Sequence, residues 1–360
     1  MTTFLFFLPL ILTNAVLGIY AERKISAFIQ DRMGPMETGK FGILQTTADI
    51  VKLIQKEDIV PAAADWKLFK LAPVIIFTAV FSGFAVIPLS GAWDGAGLEI
   101  GVFYLLAIIS LDVLGILMAG WGSNSKFSLF GALRSVAQII SYEVPLGLSV
   151  LCVVMITQSL DLQEISLSQG LQSPNSVYLF GVVKSMDVSQ WGGVFAWNIV
   201  QAPLLIPVFV IFFIASLAEC NRAPFDLPEA ESELIAGYHT EYSGFRWAFF
   251  MLAEYGMMML VSMLAAILFF GAWNTPLPNM GVVKLADWTT GAPGSFMSYI
   301  WGVFWLLSKA LIGMFMHMWI RWTYPRLRID QLMNLSWKYL TPAAILLLLL
   351  CGIWRLWMIA

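Results

Sequence analysis

Of the 360 residues, 59% are hydrophobic and only 12% charged, about half the charged share of a typical soluble domain. Apolar runs of roughly 18 residues or more recur along the chain, each long enough to cross a bilayer core of about 30 Å as a helix, while the alternating segments of a transmembrane barrel are absent. The expected fold is therefore all-α, a polytopic membrane protein forming a single integral membrane domain over residues 1–360, and the net charge of −3 matters less than its distribution.

Eight spans are predicted, at approximately 3–21, 71–89, 100–120, 136–157, 194–217, 247–273, 299–320 and 339–359. The first lacks the basic leader and small-residue cleavage site of a signal peptide, so it reads as a retained span. Ala21-Glu22-Arg23-Lys24 and Gln30-Asp31-Arg32-Met33-Gly34-Pro35 place mixed charge where it leaves the bilayer, and basic residues there suit lipid phosphates. Over residues 41–56, Ile43, Leu44, Thr47, Ile50, Val51 and Ile54 recur near helical spacing against polar Asp49, Lys52 and Lys56. That pattern predicts an amphipathic helix lying in the membrane interface, the alternative being an ordinary helix packed on another subunit. The fourth loop, about 158–193, is long and carries no recognisable motif. Residues 218–246 form an acid-rich loop, and Lys309 in the seventh span reads as a lysine able to snorkel.

Loops one, three, five and seven carry sixteen lysines and arginines, the even loops only Lys184 and Lys284. A basic excess marks the cytoplasmic side, so the odd loops are expected there and both termini on the opposite side. Trp66, Trp93, Trp191, Trp288 and Trp337 fall near span ends, as interfacial anchors do. Cys152, Cys220 and Cys351 have no ligand-like spacing, and neither His239 nor His317 belongs to a ligand or nucleophile motif, so no metal site is expected.

The chemistry concentrates in carboxylates. Glu219 continues the fifth span, and Asp226, Glu229, Glu231, Glu233 and Glu241 follow, with Arg222 and Arg246 as the only cations among them. Interleaved Ala, Leu and Pro make this stretch too apolar for a solvated acidic tail, and Pro224 and Pro228 constrain its backbone. Crowded, desolvated carboxylates raise one another's pKa values, which suits proton exchange near neutral pH. Glu143, in Ser141-Tyr142-Glu143-Val144-Pro145, and Glu254, in Ala253-Glu254-Tyr255, sit at or within apolar spans. An ionisable residue at membrane depth costs roughly 2.5 to 3.5 kcal/mol on the lenient insertion scale, and so tends to mark an ion path.

At these residues the chain resembles a known family. Glu22-Arg23-Lys24 with Gln30-x-Arg32-x-Gly34-Pro35, and Phe41-Gly42-Ile43-Leu44-Gln45-x-x-Ala48-Asp49-x-x-Lys52-Leu53 with Lys56-Glu57-Asp58, look like the first cytoplasmic loop of the H-subunit family of complex I, the NADH-quinone oxidoreductases. So do Ser141-Tyr142-Glu143-x-Pro145-Leu146, the stretch from Glu219 to Tyr242, and Tyr324-Pro325-Arg326-x-Arg328-x-Asp330-Gln331-Leu332-Met333. The resemblance implies a subunit that joins the hydrophilic redox arm to the proton-pumping membrane arm and forms much of the quinone chamber. It implies that Glu22, Arg23, Arg32, Asp49, Arg222, Arg321 and Arg326 line or support that chamber. It further implies a proton path through Glu143, Glu219, Asp226, Glu229, Glu231, Glu233 and Glu254. Two departures stand out: Met36-Glu37-Thr38-Gly39 where the family commonly has Asn-Arg-Val-Gly, and Cys220 where threonine is usual.

The chain has no Cys cluster for iron–sulfur, no Gly-rich dinucleotide loop and no flavin signature. NADH, flavin and iron–sulfur clusters are therefore expected in partner subunits, with a quinone as substrate, no covalently bound cofactor and no catalytic residue here. Other complex I subunits of both arms, quinone and membrane lipid are the expected partners, and nucleic acid is not. A bacterial inner (plasma) membrane is the implied location. The alternatives are the equivalent membrane subunit of a proton-pumping hydrogenase and an independent ion or solute carrier.

Overall fold

Long apolar runs in lipid can satisfy their backbone polar groups only within helices, and the chain folds accordingly. The computed structural model describes all residues except 1, 92, 172, 174–177, 182, 189–190, 228–235, 280–283, 292–293 and 360. Among the described residues, seven helical segments are long and apolar enough to cross a membrane, and an eighth apolar helix, Leu205–Glu219, is shorter. At 15 residues and about 1.5 Å per residue, it is only about 22 Å long.

In chain order these are α1 (Thr2–Ile29), the short α2 (Gln45–Gln55), α3 (Trp66–Gly83), α4 (Gly101–Ile109) running into α5 (Leu111–Gly122), α6 (Lys126–Thr157), short α7 (Leu162–Leu167) and α8 (Asn198–Gln201), then α9 (Leu205–Glu219). After them come α10 (Gly244–Phe269), short α11 (Leu285–Thr290), α12 (Phe296–Thr323), and α13 (Ile329–Asn334), joined to α14 (Thr341–Ile359) by a π-helical turn at Leu335–Leu340. The fourth loop adds a small antiparallel hairpin, Tyr178–Leu179 with Val183–Asp187.

Several helices outrun the apolar stretches that announce them. Expected at 3–21, α1 continues through Glu22 and Arg23 to Ile29, and α6, expected from 136, begins at Lys126. Hydropathy marks the lipid-facing length, whereas hydrogen bonding carries the helix beyond it. The reverse holds for the span expected from 194. Ala202, which precedes Pro203, takes the extended conformation that a following proline favours, so α9 starts only at Leu205. The amphipathic stretch forms α2, which leaves Ile50, Val51 and Ile54 exposed.

Odd and even loops separate cleanly. The first loop bonds the third (Asp65 N to Gly122 O, 3.0 Å) and the fifth (Ile59 N to Ser243 Oγ, 3.1 Å), and the fifth bonds the seventh (Leu327 N to Pro224 O, 3.1 Å). At the other end the second loop meets the fourth (Gln163 Nε2 to Gly91 O, 3.0 Å) and the fourth meets the sixth (Val194 N to Pro276 O, 3.2 Å).

The long fourth loop has a structural task at that end. The last carbonyls of a helix lack intrahelical donors, and α10 ends while still enclosed by protein. Gln169 Nε2 donates to Ile267 O (2.7 Å) and Asn198 Nδ2 to Leu268 O (2.9 Å), and Lys309 Nζ takes the following carbonyls of Ala272 (2.9 Å) and Asn274 (2.6 Å). Lys309 therefore does not snorkel. Trp93 also turns inward, packing between Phe6 and Tyr299. Cys152 and Cys351 are both buried free thiols.

Close packing at glycines sets the odd end. A Cβ on Gly131 of α6 would stand 2.8 Å from the backbone of Gly237 and 2.9 Å from Tyr238 N in the fifth loop. Backbone on both sides cannot yield cheaply, and overpacking costs roughly 1–3 kcal/mol. Gly131→Ala is expected to lower the heat-inactivation midpoint of the purified protein by several degrees; an unchanged midpoint would show that this contact is loose.

Candidate functional site

The site begins where α9 stops. Asn221 has φ 48°, a conformation asparagine tolerates better than most side chains. Its N–H donates to Ala218 O (3.2 Å) while Arg222 N donates to Leu217 O (3.2 Å), the paired bonds of a Schellman helix end. Ser135 Oγ and Gln138 Nε2 of α6 both donate to Asn221 Oδ1 at 3.2 Å, and Gln138 Nε2 also reaches Ala218 O (2.8 Å). This turn points Arg222 inward, where its side chain is only 2% exposed.

Three helices meet it there. Arg222 Nη1 donates to both carboxylate oxygens of Glu22 on α1 (3.0 and 2.9 Å), and its Nε pairs with Glu254 Oε1 on α10 (2.7 Å). Tyr255 donates to Glu22 Oε2 (2.5 Å), and its ring centroid lies 4.6 Å from the guanidinium Cζ. Arg321 of α12 adds a second cation on Glu22 Oε1 (2.6 Å). Burial alone works against the Arg222 charge, but the Glu22 and Glu254 carboxylates outweigh it and hold the guanidinium well above its ordinary value. Nearby, burial pushes His239 down to about 4, which keeps its imidazole neutral at neutral pH, and pushes the Cys220 thiol up.

From Glu254 a line of acids runs into the helix bundle. A small void of about 20 Å³ is bounded by Glu254, Glu219 and Asp112, among others, enough for one water. Glu219 also lines a larger cavity of about 270 Å³ together with Glu143 and Ser110. Asp112 and Glu143 both lie within electrostatic reach of Glu219. Asp112 Oδ1 and Glu219 Oε2 are buried without a hydrogen-bond partner among the described residues, the condition that an ordered water or a shared proton relieves. Thus Glu254, Glu219 and Glu143 form one series.

Other expected residues stand apart. Asp226 is buried and pairs with Arg326 (3.2 Å) beside the seventh loop. Arg23 pairs with Asp49 of α2 (2.6 Å), nearer the surface. Arg32 is exposed, and the ion pairs around Arg222 do not include it. Glu229, Glu231 and Glu233 lie outside the described residues. Sequence reasoning misses Asp112 and Tyr255. Asp112 interrupts the apolar stretch 100–120, so the rule that singles out Glu143 and Glu254 applies to it equally. Nothing in the sequence around Tyr255 distinguishes it from an interior aromatic.

The fold and site together define a polytopic helical membrane protein with an ion-paired arginine at the head of a buried carboxylate series. A family model described as NADH dehydrogenase matches residues 1–352, and the chain belongs to that family. It is 56% identical to the second of the NADH-quinone oxidoreductase H subunits of Cytophaga hutchinsonii, covering 98% of each chain. It is 52% identical to the NADH-quinone oxidoreductase H subunit of Chlorobium luteolum, over 94% of this chain and 84% of the relative. For the Bacillus cytotoxicus protein of the same name the identity is 44%, over 95% and 91%.

Removing the cation from a buried ion pair costs about 3–5 kcal/mol, because the remaining charge stays buried. Arg222→Met is expected to abolish or sharply reduce accumulation of assembled protein, with Arg222→Lys intermediate, since an ammonium cannot fork between two carboxylates. Native-gel quantification decides this, and normal accumulation of Arg222→Met would remove the cluster from its structural role.

Proposed function

We propose that the chain is the membrane-embedded H subunit of a proton-translocating NADH-quinone oxidoreductase, and that it forms part of the quinone chamber and couples quinone reduction to proton movement. The observation that carries this reading is the continuity from the Arg222 ion cluster, through Glu254, to Glu219 and Glu143. A change of charge beside Glu22 or Arg222 acts on Glu254 directly through their ion pairs, and on the next acids across a low-dielectric interior where Coulomb interactions are far stronger than in water.

In this reading Glu22, Arg23, Arg32, Asp49, Arg222, Arg321 and Arg326 line or support the chamber. Glu143, Glu219, Asp226, Glu229, Glu231, Glu233 and Glu254 conduct or exchange protons. The acid-rich loop over 218–246 serves the cytoplasmic side of that path, with α2 lying in the membrane interface. NADH oxidation, flavin and iron–sulfur chemistry belong to partner subunits, and quinone arrives from the lipid. The excess of basic residues in the odd loops supports placing them in the cytoplasm of a bacterial cell, with both termini across the inner membrane. The naming of the relatives favours the quinone enzyme over the hydrogenase and carrier alternatives.

The test uses the whole complex. Glu219→Gln and Asp226→Asn are expected to leave it assembled and its NADH–ferricyanide activity unchanged, while quinone reduction and proton pumping fall at least five-fold. Full coupled activity in both variants would refute the acid path.

A further inference from the structure

A proline in α6 falls beside the acid series. Pro145 lies inside the helix, two residues past Glu143. A proline there has no N–H to give the carbonyl four residues back, and its ring crowds that carbonyl. The carbonyl is that of Ser141, and the missing bond is the one that would close the turn containing Tyr142, Glu143 and Val144. The same turn therefore carries the carboxylate that lines the cavity of about 270 Å³ with Glu219.

The donor comes from far along the chain. Ser336, fully buried, gives its hydroxyl hydrogen to Ser141 O at 2.6 Å, across 195 positions of sequence. Trp337 Nε1 donates to Ser141 Oγ (3.3 Å), which itself donates to Ala137 O (2.7 Å), and the Tyr142 hydroxyl donates to Leu332 O (3.0 Å). Both residues just before Glu143 are thus held by the segment that links α13 to α14.

A second proline shapes that segment. Pro342 is the second residue of α14, and in an unbroken α-helix its ring would press on the Lys338 carbonyl. The turn before it is instead π-helical, Leu335–Leu340, with Thr341 N bonded to Ser336 O five residues back. A π turn takes an extra residue into the helix, which widens it where Pro342 needs room and leaves the Ser336 side chain against α6.

We propose that Ser336 is a positioning residue for Glu143: its hydroxyl supplies the donor that Pro145 denies to Ser141 O and so fixes the turn of α6 that carries the carboxylate. A buried carbonyl without a donor is costly, and one bond from outside the helix settles it. The carboxylate does little to place itself, since Glu143 Oε1 has no hydrogen-bond partner among the described residues. Its distance from Glu219 then depends on how the start of α14 sits against α6. The consequence for activity rests on the proposed function; the bond between Ser336 and Ser141 does not.

The experiment measures kcat and KM for quinone reduction, and the heat-inactivation midpoint, in the whole complex. Ser336→Ala is expected to lower kcat roughly three-fold or more, since misplacing a reacting group by about 1 Å can cost far more than that, with KM and NADH–ferricyanide activity within two-fold. Ser336→Thr, which keeps the hydroxyl, should stay within two-fold of the wild-type kcat. Pro145→Ala returns an N–H to Ser141 O, so adding Ser336→Ala to it should change kcat less than two-fold and leave the midpoint where Pro145→Ala alone puts it. If Pro145→Ala abolishes turnover, the midpoint makes the comparison. If Ser336→Ala prevents assembly, its recovery on adding Pro145→Ala supports the proposal and its failure to recover overturns it. An unchanged kcat in Ser336→Ala, a loss as large in Ser336→Thr, a drop in midpoint as large with Pro145→Ala as without it, or a raised KM in place of a lowered kcat each overturns it too. Glu143→Gln with full coupled activity would instead defeat the acid path of the proposed function, whereas intact turnover in Ser336→Ala beside an impaired Glu143→Gln defeats this inference alone.

Discussion

The interaction on which the rest depends is the burial of the Arg222 guanidinium. Withdrawing such a group from water costs several kcal/mol, repaid only when carboxylates and hydrogen bonds surround it. Four separate parts of the chain are shaped to do so. The first helix runs past its apolar stretch to deliver Glu22, and Gly18 on the same helix leaves room for the Tyr255 ring, 3.1 Å from where a Cβ would stand. The sixth span carries Glu254 and Tyr255 side by side, and the seventh supplies Arg321 as a second cation for Glu22. The helix end at Asn221, held by Ser135 and Gln138, aims the arginine at all of them.

This arrangement also makes the cluster sensitive. Arg222 is shared between Glu22 and Glu254, so a new negative charge near Glu22 competes for the same guanidinium and loosens its hold on Glu254. Glu254 and Glu219 border the same water-sized void, so under the proposed function that release would reach the acid series without any helix moving far. Two formal positive charges against two negative ones, Arg222 and Arg321 against Glu22 and Glu254, leave the resting cluster near balance. A balanced group of four responds to the addition of one charge more sharply than a solvated one, since little water is present to screen it.

Much of this is legible in the sequence, and the failures have physical reasons. The helical class and the division of odd from even loops follow from apolar length and basic residues, and the hydrogen bonds joining odd loops to odd and even to even repeat that division. Glu143, Glu219 and Glu254 are recognisable because a carboxylate in an apolar span needs an explanation. Asp112 needs the same explanation and is easily passed over, being a single acid in an otherwise uninterrupted run. Glu22 reads locally, with its basic neighbours, as part of a surface anchor. Its true surroundings come from residues 200, 232 and 299 positions away by subtraction, at Arg222, Glu254 and Arg321, and no local pattern announces contacts of that range. Lys309 misleads for a related reason: snorkelling assumes a helix end near water, whereas the carbonyls it meets belong to a different helix that ends inside the protein.

The two ends of the bundle therefore solve one problem in different ways. Helix ends and loops buried among other helices leave polar groups that need partners. At the odd end charges answer charges, and at the even end Gln169, Asn198, Asn274 and Lys309 answer carbonyls. This solution adds no carboxylate, so it holds the last turn of α10 without groups that would compete with the acid series. The first half of the same helix carries Glu254 and Tyr255. A helix held by hydrogen bonds at its last turn and by shared ion pairs in its first half would, under the proposed function, respond to charge where the ion pairs are, on the side where the acid series begins.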